Sequence, residues 1–162
     1  MMSSTLSARA AAALLVLSLS SAGPASALSQ APPPVAAPAA PAAVDLTLTF
    51  NVRRFDRGAL MVAIFDSEAA YDGGGQPVRA LRLEVAGHAV TMVVAGLPPG
   101  RYGIKLFHDL NGTGKLTLNP FGIPTEPVAF SNNARINLRA PNWAEVVFDL
   151  PAGGGAQTID ID

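Results

Sequence analysis

The sequence predicts an all-β sandwich of about seven short strands. Three observations predict it. Apolar residues recur at every second position in stretch after stretch, which is the period of a half-buried strand. Patterning at the helical period is nearly absent. Turn formers punctuate the stretches throughout, with 15 Gly and 14 Pro in 162 residues, so the alternating runs are kept short.

The first residues stand apart from that pattern. Arg9 supplies a positive start, "AAAALLVLSL" (10–19) is an apolar run, and "ASA" (25–27) places small residues where a signal peptidase cuts. Residues 1–27 therefore read as a secretory signal cleaved after Ala27, with cleavage after Ala22 as the alternative, and the apolar run is too short to remain as a membrane span. Residues 28–43, "LSQAPPPVAAPAAPAA", are nearly all Ala and Pro and read as an extended linker. Residues 44–162 form the folded domain, and the expected compartment is periplasmic or secreted.

Within that domain, "DLTLTFNV" (45–52) puts Leu46, Leu48, Phe50 and Val52 on one face. "ALMVAIFD" (59–66) is apolar on both faces and belongs at a sheet centre. "SEAAYDGGGQP" is a non-strand insertion in which Ser67 can cap one helical turn before the glycines break it. "RALRLEV" (79–85) alternates Leu81, Leu83 and Val85 against Arg82 and Glu84. Gly87 and His88 then read as a two-residue hairpin turn into "AVTMVVAGL", with Val90, Met92 and Val94 inward. "PPG" (98–100) turns the chain again. Tyr102, Ile104 and Leu106 face one way after it, Arg101 and Lys105 the other. A Tyr at the start of such a strand matches the tyrosine corner of immunoglobulin-like sandwiches, whose hydroxyl bonds the preceding loop. "KLTL" (115–118), a segment around "VAF" (128–130), "EVVFDL" (145–150) and "QTIDID" (157–162) complete the strands.

Composition excludes several function classes. Lys and Arg number 11 against 12 Asp and Glu, and Arg9 falls in the leader, so no basic stripe is available for nucleic acid or an anionic membrane. There is no Cys, hence no disulfide, no thiolate metal site, no Cys nucleophile and no lipid attached through Cys. Two His without an HExxH pattern, and no GxSxG, leave neither a zinc enzyme nor a serine elbow.

The polar stretch "DLNGTGKLTLNP" admits two readings. Asp109, Asn111, Thr113 and Thr117 fall at the side-chain donor positions of a calcium loop, with Gly114 at the turn and Lys115 offering a backbone carbonyl. The position for a bidentate Glu is Pro120, and calcium wants about six or more oxygens, so Glu126 or Asp66 would have to help. The other reading is a hairpin in which Asp109 and Asn111 bond their own backbone. His108 shares the face of Tyr102, Ile104 and Leu106, opposite Asp109 on a strand, which argues against a His–Asp dyad and for a histidine at the core edge. In the long connection 121–143, Phe121, Phe130 and Trp143 either anchor the loop or form a recognition surface. Asn132 and Asn133 either hold its backbone or read a partner. His108, Asn132, Asn133 and Trp143 are the candidate binding-surface residues.

"LPPGRYGIKLFHDLNGTGKLTLNPFGIPTEPVAFSNNA", followed by "APNWAEVVFDL", resembles the DUF2141 family of exported bacterial proteins over the whole of 44–162. The combination of Pro98-Pro99-Gly100, His108-Asp109, Asn111-Gly112, Gly114-Lys115, Gly122-Ile123-Pro124 and Phe130-Ser131-Asn132-Asn133-Ala134 carries the resemblance. It implies a secreted β-sandwich similar to transthyretin-like and collagen-adhesin B-type modules, and it implies no activity. Family members usually carry an acidic residue or Asn where this chain has Thr113, and often Asp where it has Thr117, so calcium ligation is weakened here. The expected role is a non-enzymatic binding or cell-envelope accessory module whose partner is a protein or envelope component. The alternatives are a calcium-stabilised structural module and a hydrolase. The expected functional surface is the sandwich end built from 108–117 and 121–143.

Overall fold

The computed structural model describes residues 42–162. The expected signal, 1–27, and the linker up to residue 41 lie outside the described residues. The described chain forms eight strands in two sheets, in place of the expected seven. The order is β1 (Val44–Val52), β2 (Ala59–Phe65), a short helical turn (Ala70–Gly74), β3 (Arg79–Glu84), β4 (Ala89–Leu97) and β5 (Gly100–Asp109). Then come β6 (Val128–Phe130), a tight turn (Ser131–Asn133), the one-turn helix α1 (Trp143–Val146), β7 (Phe148–Leu150) and β8 (Gly155–Ile161).

One sheet runs β4-β1-β8 and the other β3-β2-β5-β6, with β7 also on β5. The first strand pairs with the last in parallel, Leu48 opposite Gln157 and Phe50 opposite Ile159, and with β4 antiparallel. Alternation works as expected: Leu46, Leu48, Phe50 and Val52 of β1 meet Leu60, Val62 and Ile64 of β2, with Ile104 and Leu106 of β5, in one core shared by both sheets. β2 is an interior strand flanked by β3 and β5, in keeping with its two apolar faces. Tyr102 donates its hydroxyl to the Pro98 carbonyl at 2.7 Å, which ties the start of β5 to the turn before it. No helix among the described residues is long and apolar enough to cross a membrane.

Three local expectations are corrected. Gly87 and His88 do not close a hairpin, because β3 pairs only with β2 and β4 pairs with β1 in the other sheet. The segment instead crosses between sheets alongside the β1–β2 connection, through Val85 N to the Gly58 carbonyl (2.9 Å) and Val52 N to the His88 carbonyl (2.9 Å). "KLTL" is not a strand. The Glu126 carboxylate takes the Thr117 N–H at 3.0 Å, and Leu118 makes only an isolated bridge to Pro124. "EVVFDL" splits into the end of α1 and β7, because Asn142 and Glu145 form a reciprocal capping box that starts a helix at Trp143. The expected helical turn near Ser67 is present, closed by Tyr71 N to the Ser67 carbonyl at 3.0 Å, without a side-chain cap.

The outer edge of β5 is served by two short strands. β7 covers Gly100, Arg101 and Tyr102, and β6 covers Lys105, Leu106 and Phe107. In the gap the Ile104 N–H donates to the Ser131 hydroxyl oxygen at 2.9 Å, and that hydroxyl donates on to the Val146 carbonyl. Ser131 is fully buried, so its side chain replaces a ladder bond that neither strand can make. Replacing Ser131 by Ala leaves a buried N–H and a buried carbonyl without these partners. The expected loss is about 1–3 kcal/mol in urea unfolding with an unchanged m-value. A change near zero would show that water or a shifted backbone serves both groups.

Candidate functional site

The outer face of the larger sheet carries two cross-strand rows. Arg82, Met61, Phe107 and Val128 form one, and Ala80, Ala63, Lys105 and Phe130 the next. A third row, Phe65 opposite Gly103, is roofed by the chain itself. Trp143 and Val146 of α1 lie on Gly103, where a Cβ would stand 2.8 Å from the Trp143 ring, so only glycine lets the helix seat. Tyr71 packs beside them, its ring centroid 5.8 Å from Trp143 and 5.6 Å from Phe65. Its hydroxyl donates to the Pro141 carbonyl at 3.0 Å. Burial, with the charges of Asp72 and Glu145, pushes that hydroxyl up to about 12, so it stays a neutral donor.

The first two rows have no such roof. They help line a groove of about 830 Å³, to which one loop adds Leu116, Ile123 and Pro124 and another adds Ile136, Leu138 and Arg139. The first loop is a tight arm in which the Asn119 side-chain oxygen accepts from the Phe121 and Ile123 N–H groups at 2.9 and 3.0 Å. The second carries Leu138, fully exposed and at φ 61, a conformation costly for a side chain with a Cβ. Ile123, Ile136 and Leu138 are all at least half exposed. Exposed apolar side chains and a leucine at positive φ set this surface apart from the packed core.

The lining contains no Ser, Thr, His, Asp or Glu. Its charged members are Arg82, Lys105 and Arg139. Arg82 pairs with Glu84, and Arg139 with Glu145 at 2.7 Å. Lys105 has no ion pair among the described residues. Its ammonium sits 3.7 Å from the centre of the Tyr71 ring and donates to the Tyr71 carbonyl. Burial lowers its pKa, with the charge of Asp72 acting the other way.

The residues singled out from the sequence lie elsewhere. His108 is 1% exposed, its Nε2 at 2.7 Å from the Arg57 carbonyl and its ring edge-on to Phe55, so it is a satisfied core histidine. Trp143 is 7% exposed and anchors the connection, as does Phe130, whereas Phe121 projects outward. Asn132 donates to the Val147 carbonyl at 2.9 Å. Asn133 accepts from Asp160 N at 2.8 Å and donates to the Thr158 carbonyl at 3.3 Å. Both asparagines have positive φ, which this residue type tolerates, and both hold backbone. Met61, Phe107, Lys105 and Leu138, which line the groove, are not legible as a group in the sequence. The available signals were the second apolar face of β2 and the apolar alternation of Ile136 and Leu138 inside a loop.

The five candidate calcium donors do share one loop, and its hydrogen bonds are internal. Asp109 accepts from Gly112 N and Thr113 N on one oxygen and Gly114 N on the other, at 2.8–3.1 Å. Asn111 accepts from Thr113 N and donates to the Thr117 hydroxyl, while the Thr113 hydroxyl donates to the Lys115 carbonyl. Glu126, the expected helper, takes Leu110 N and Thr117 N. No group of three or more His, Cys, Asp or Glu able to hold a metal occurs among the described residues. An ion would have to displace these N–H donors, and with so few carboxylates the donor set fits calcium poorly.

The carboxyl of Asp109 is buried, which by itself raises its pKa. The N–H groups of Gly114, Gly112 and Thr113, together with the charge of Arg82, outweigh that and hold it below the ordinary 3.8. Because the folded value is depressed, its stabilisation is present above about pH 4 and lost as pH falls through the folded pKa. Asp109→Asn should therefore lower the melting temperature at pH 7 and flatten its fall below pH 4. Wild-type melts with millimolar calcium and with chelator should superimpose. A calcium-dependent rise in melting temperature would mean that the ion wins the loop from the backbone.

Among comparisons with known proteins, no curated protein and no solved structure matches the chain. A family model described as an uncharacterized protein conserved in bacteria (DUF2141) matches residues 50–160. The matched span takes in β2 to β7 whole, both groove walls and the Asp109 loop. With more than half of its length matched, the chain belongs to the DUF2141 family of uncharacterised bacterial proteins.

Proposed function

We propose that the protein is an exported, non-enzymatic module whose fold is an immunoglobulin-like or transthyretin-like sandwich, and that it binds an apolar ligand on the outer face of its larger sheet. The observation that carries this reading is the groove of about 830 Å³, within the size range of small-molecule sites and lined almost wholly by hydrocarbon. The tyrosine contact to Pro98 and the parallel pairing of first and last strands support the sandwich type. A binding role is favoured over hydrolysis because the groove lining offers no nucleophile and no carboxylate or imidazole base. The surface lies on the sheet face between the arms at 116–124 and 136–140, not at the sandwich end. The 108–117 loop serves to position the first arm.

The neutral dye N-phenyl-1-naphthylamine should brighten on the purified domain. Met61→Glu places a charge in the middle of the groove floor but outside the shared core. It should weaken dye binding about tenfold or more, since burying a charge without a partner is costly, while leaving the melting temperature nearly unchanged. No brightening with wild-type protein, or equal brightening with the variant, would place the ligand elsewhere. Export is tested separately. Mass spectrometry of the periplasmic or culture fraction should find a chain beginning at Leu28, and a chain retaining residues 1–27 in the cytoplasm would remove the exported role.

A further inference from the structure

We propose that the groove selects a single-chain anionic amphiphile, a free long-chain carboxylate, with its tail along Met61, Phe107 and Val128 and its head at Lys105. This rests on the reading of the groove as an apolar-ligand site and adds the chemistry of the head group. The argument is one of charge complementarity on an apolar floor. Every charged side chain lining the groove is a cation. Two of the three are already neutralised, Arg82 by Glu84 and Arg139 by Glu145.

Lys105 is different. It stands in the second floor row, next to the roof formed by Tyr71 and Trp143, and no ion pair among the described residues includes it. An ammonium has three donors, and the Tyr71 carbonyl accounts for one. The face of Tyr71, 3.7 Å away, fixes its position without neutralising it. Asp72 is the carboxylate whose field reaches it, and it is not within ion-pair distance. A carboxylate head supplies the acceptor that the site lacks.

Dimensions agree with one chain rather than a bilayer surface. The floor spans β3, β2, β5 and β6, about 14 Å across at the usual strand spacing, and the two rows lie about 7 Å apart along the strands. A tail lying across the strands on the Met61, Phe107 and Val128 row therefore passes within one row of Lys105. Ile123 and Leu138 line the same groove.

The test is displacement of the neutral dye from wild-type protein by dodecanoate, dodecanol and dodecyltrimethylammonium, all below their micelle-forming concentrations. Dodecanoate should displace the dye at a concentration about tenfold lower than dodecanol needs, and the cation should be weakest. Each methylene added to the carboxylate should tighten binding about three- to fourfold until the groove is full. Lys105→Met keeps the apolar stem and should lose the preference for carboxylate, so that dodecanoate and dodecanol displace the dye from the variant at similar concentrations. Equal displacement by the three compounds overturns the head-group assignment but leaves the apolar site standing, whereas failure of wild type to bind the dye removes both. Should Lys105→Met not fold, the wild-type panel alone decides. Sedimentation with vesicles of anionic phospholipid, in the absence of carboxylate binding, would assign the surface to a membrane and overturn the proposal.

Discussion

The edge of β5 imposes the constraint on which the rest of the molecule depends. β5 is the strand around which the larger sheet is built, yet two three-residue strands share its outer edge and leave Ile104 between them. A buried N–H there must find a partner or cost about 1–3 kcal/mol. The Ser131 hydroxyl supplies the partner and passes the bond to Val146. The next two residues continue the repair. Asn132 reaches the Val147 carbonyl, and Asn133 reaches β8 of the other sheet. One three-residue turn thus closes a strand, seats α1 and links the two layers.

Seating α1 decides where the open surface lies. Once Trp143 and Val146 rest on Gly103, one end of the outer face is closed, and Tyr71 is trapped beside it with its ring under the Lys105 ammonium. The rows through Met61 and Ala63 are then left between two loop arms. The Asp109 loop contributes at a distance. By gathering three backbone N–H groups on one carboxylate it sets the start of the arm that bears Ile123. Glu126 fastens the return of that arm by taking Leu110 N and Thr117 N together.

Much of the fold was legible because a strand buried on one face must alternate. β1, β2, β5 and β8 could be read directly, as could the Tyr102 contact, whereas the sequence left the two asparagines open between holding backbone and reading a partner. What failed was pairing. Gly87 and His88 look like a hairpin turn, but a short Gly-containing connection also serves a chain that changes sheets, and local residues do not distinguish the two. "EVVFDL" misled because β-branched residues outweigh a capping signal in propensity, although Asn142 followed three residues later by Glu145 was there to be read. The groove was not legible as a site. Its floor comes from four strands and its walls from two separate loops, so no window of sequence contains it. Two apolar faces on β2 signalled an interior strand, which it is, and also an uncovered apolar patch, which that signal alone cannot separate.

The parallel union of β1 and β8 bears on how the domain is made. The strand that completes the three-stranded sheet is the eighth in chain order, while the strand it joins is the first. Until it arrives, β1 has β4 on one side and an unpaired row of amides on the other, next to a half-closed interior. Such a contact, with nearly the whole domain between its partners, is slow to form and leaves a template for intermolecular pairing while it waits. With no cysteine to hold a partly assembled chain, the three-stranded sheet is complete only once the last segment has paired with the first.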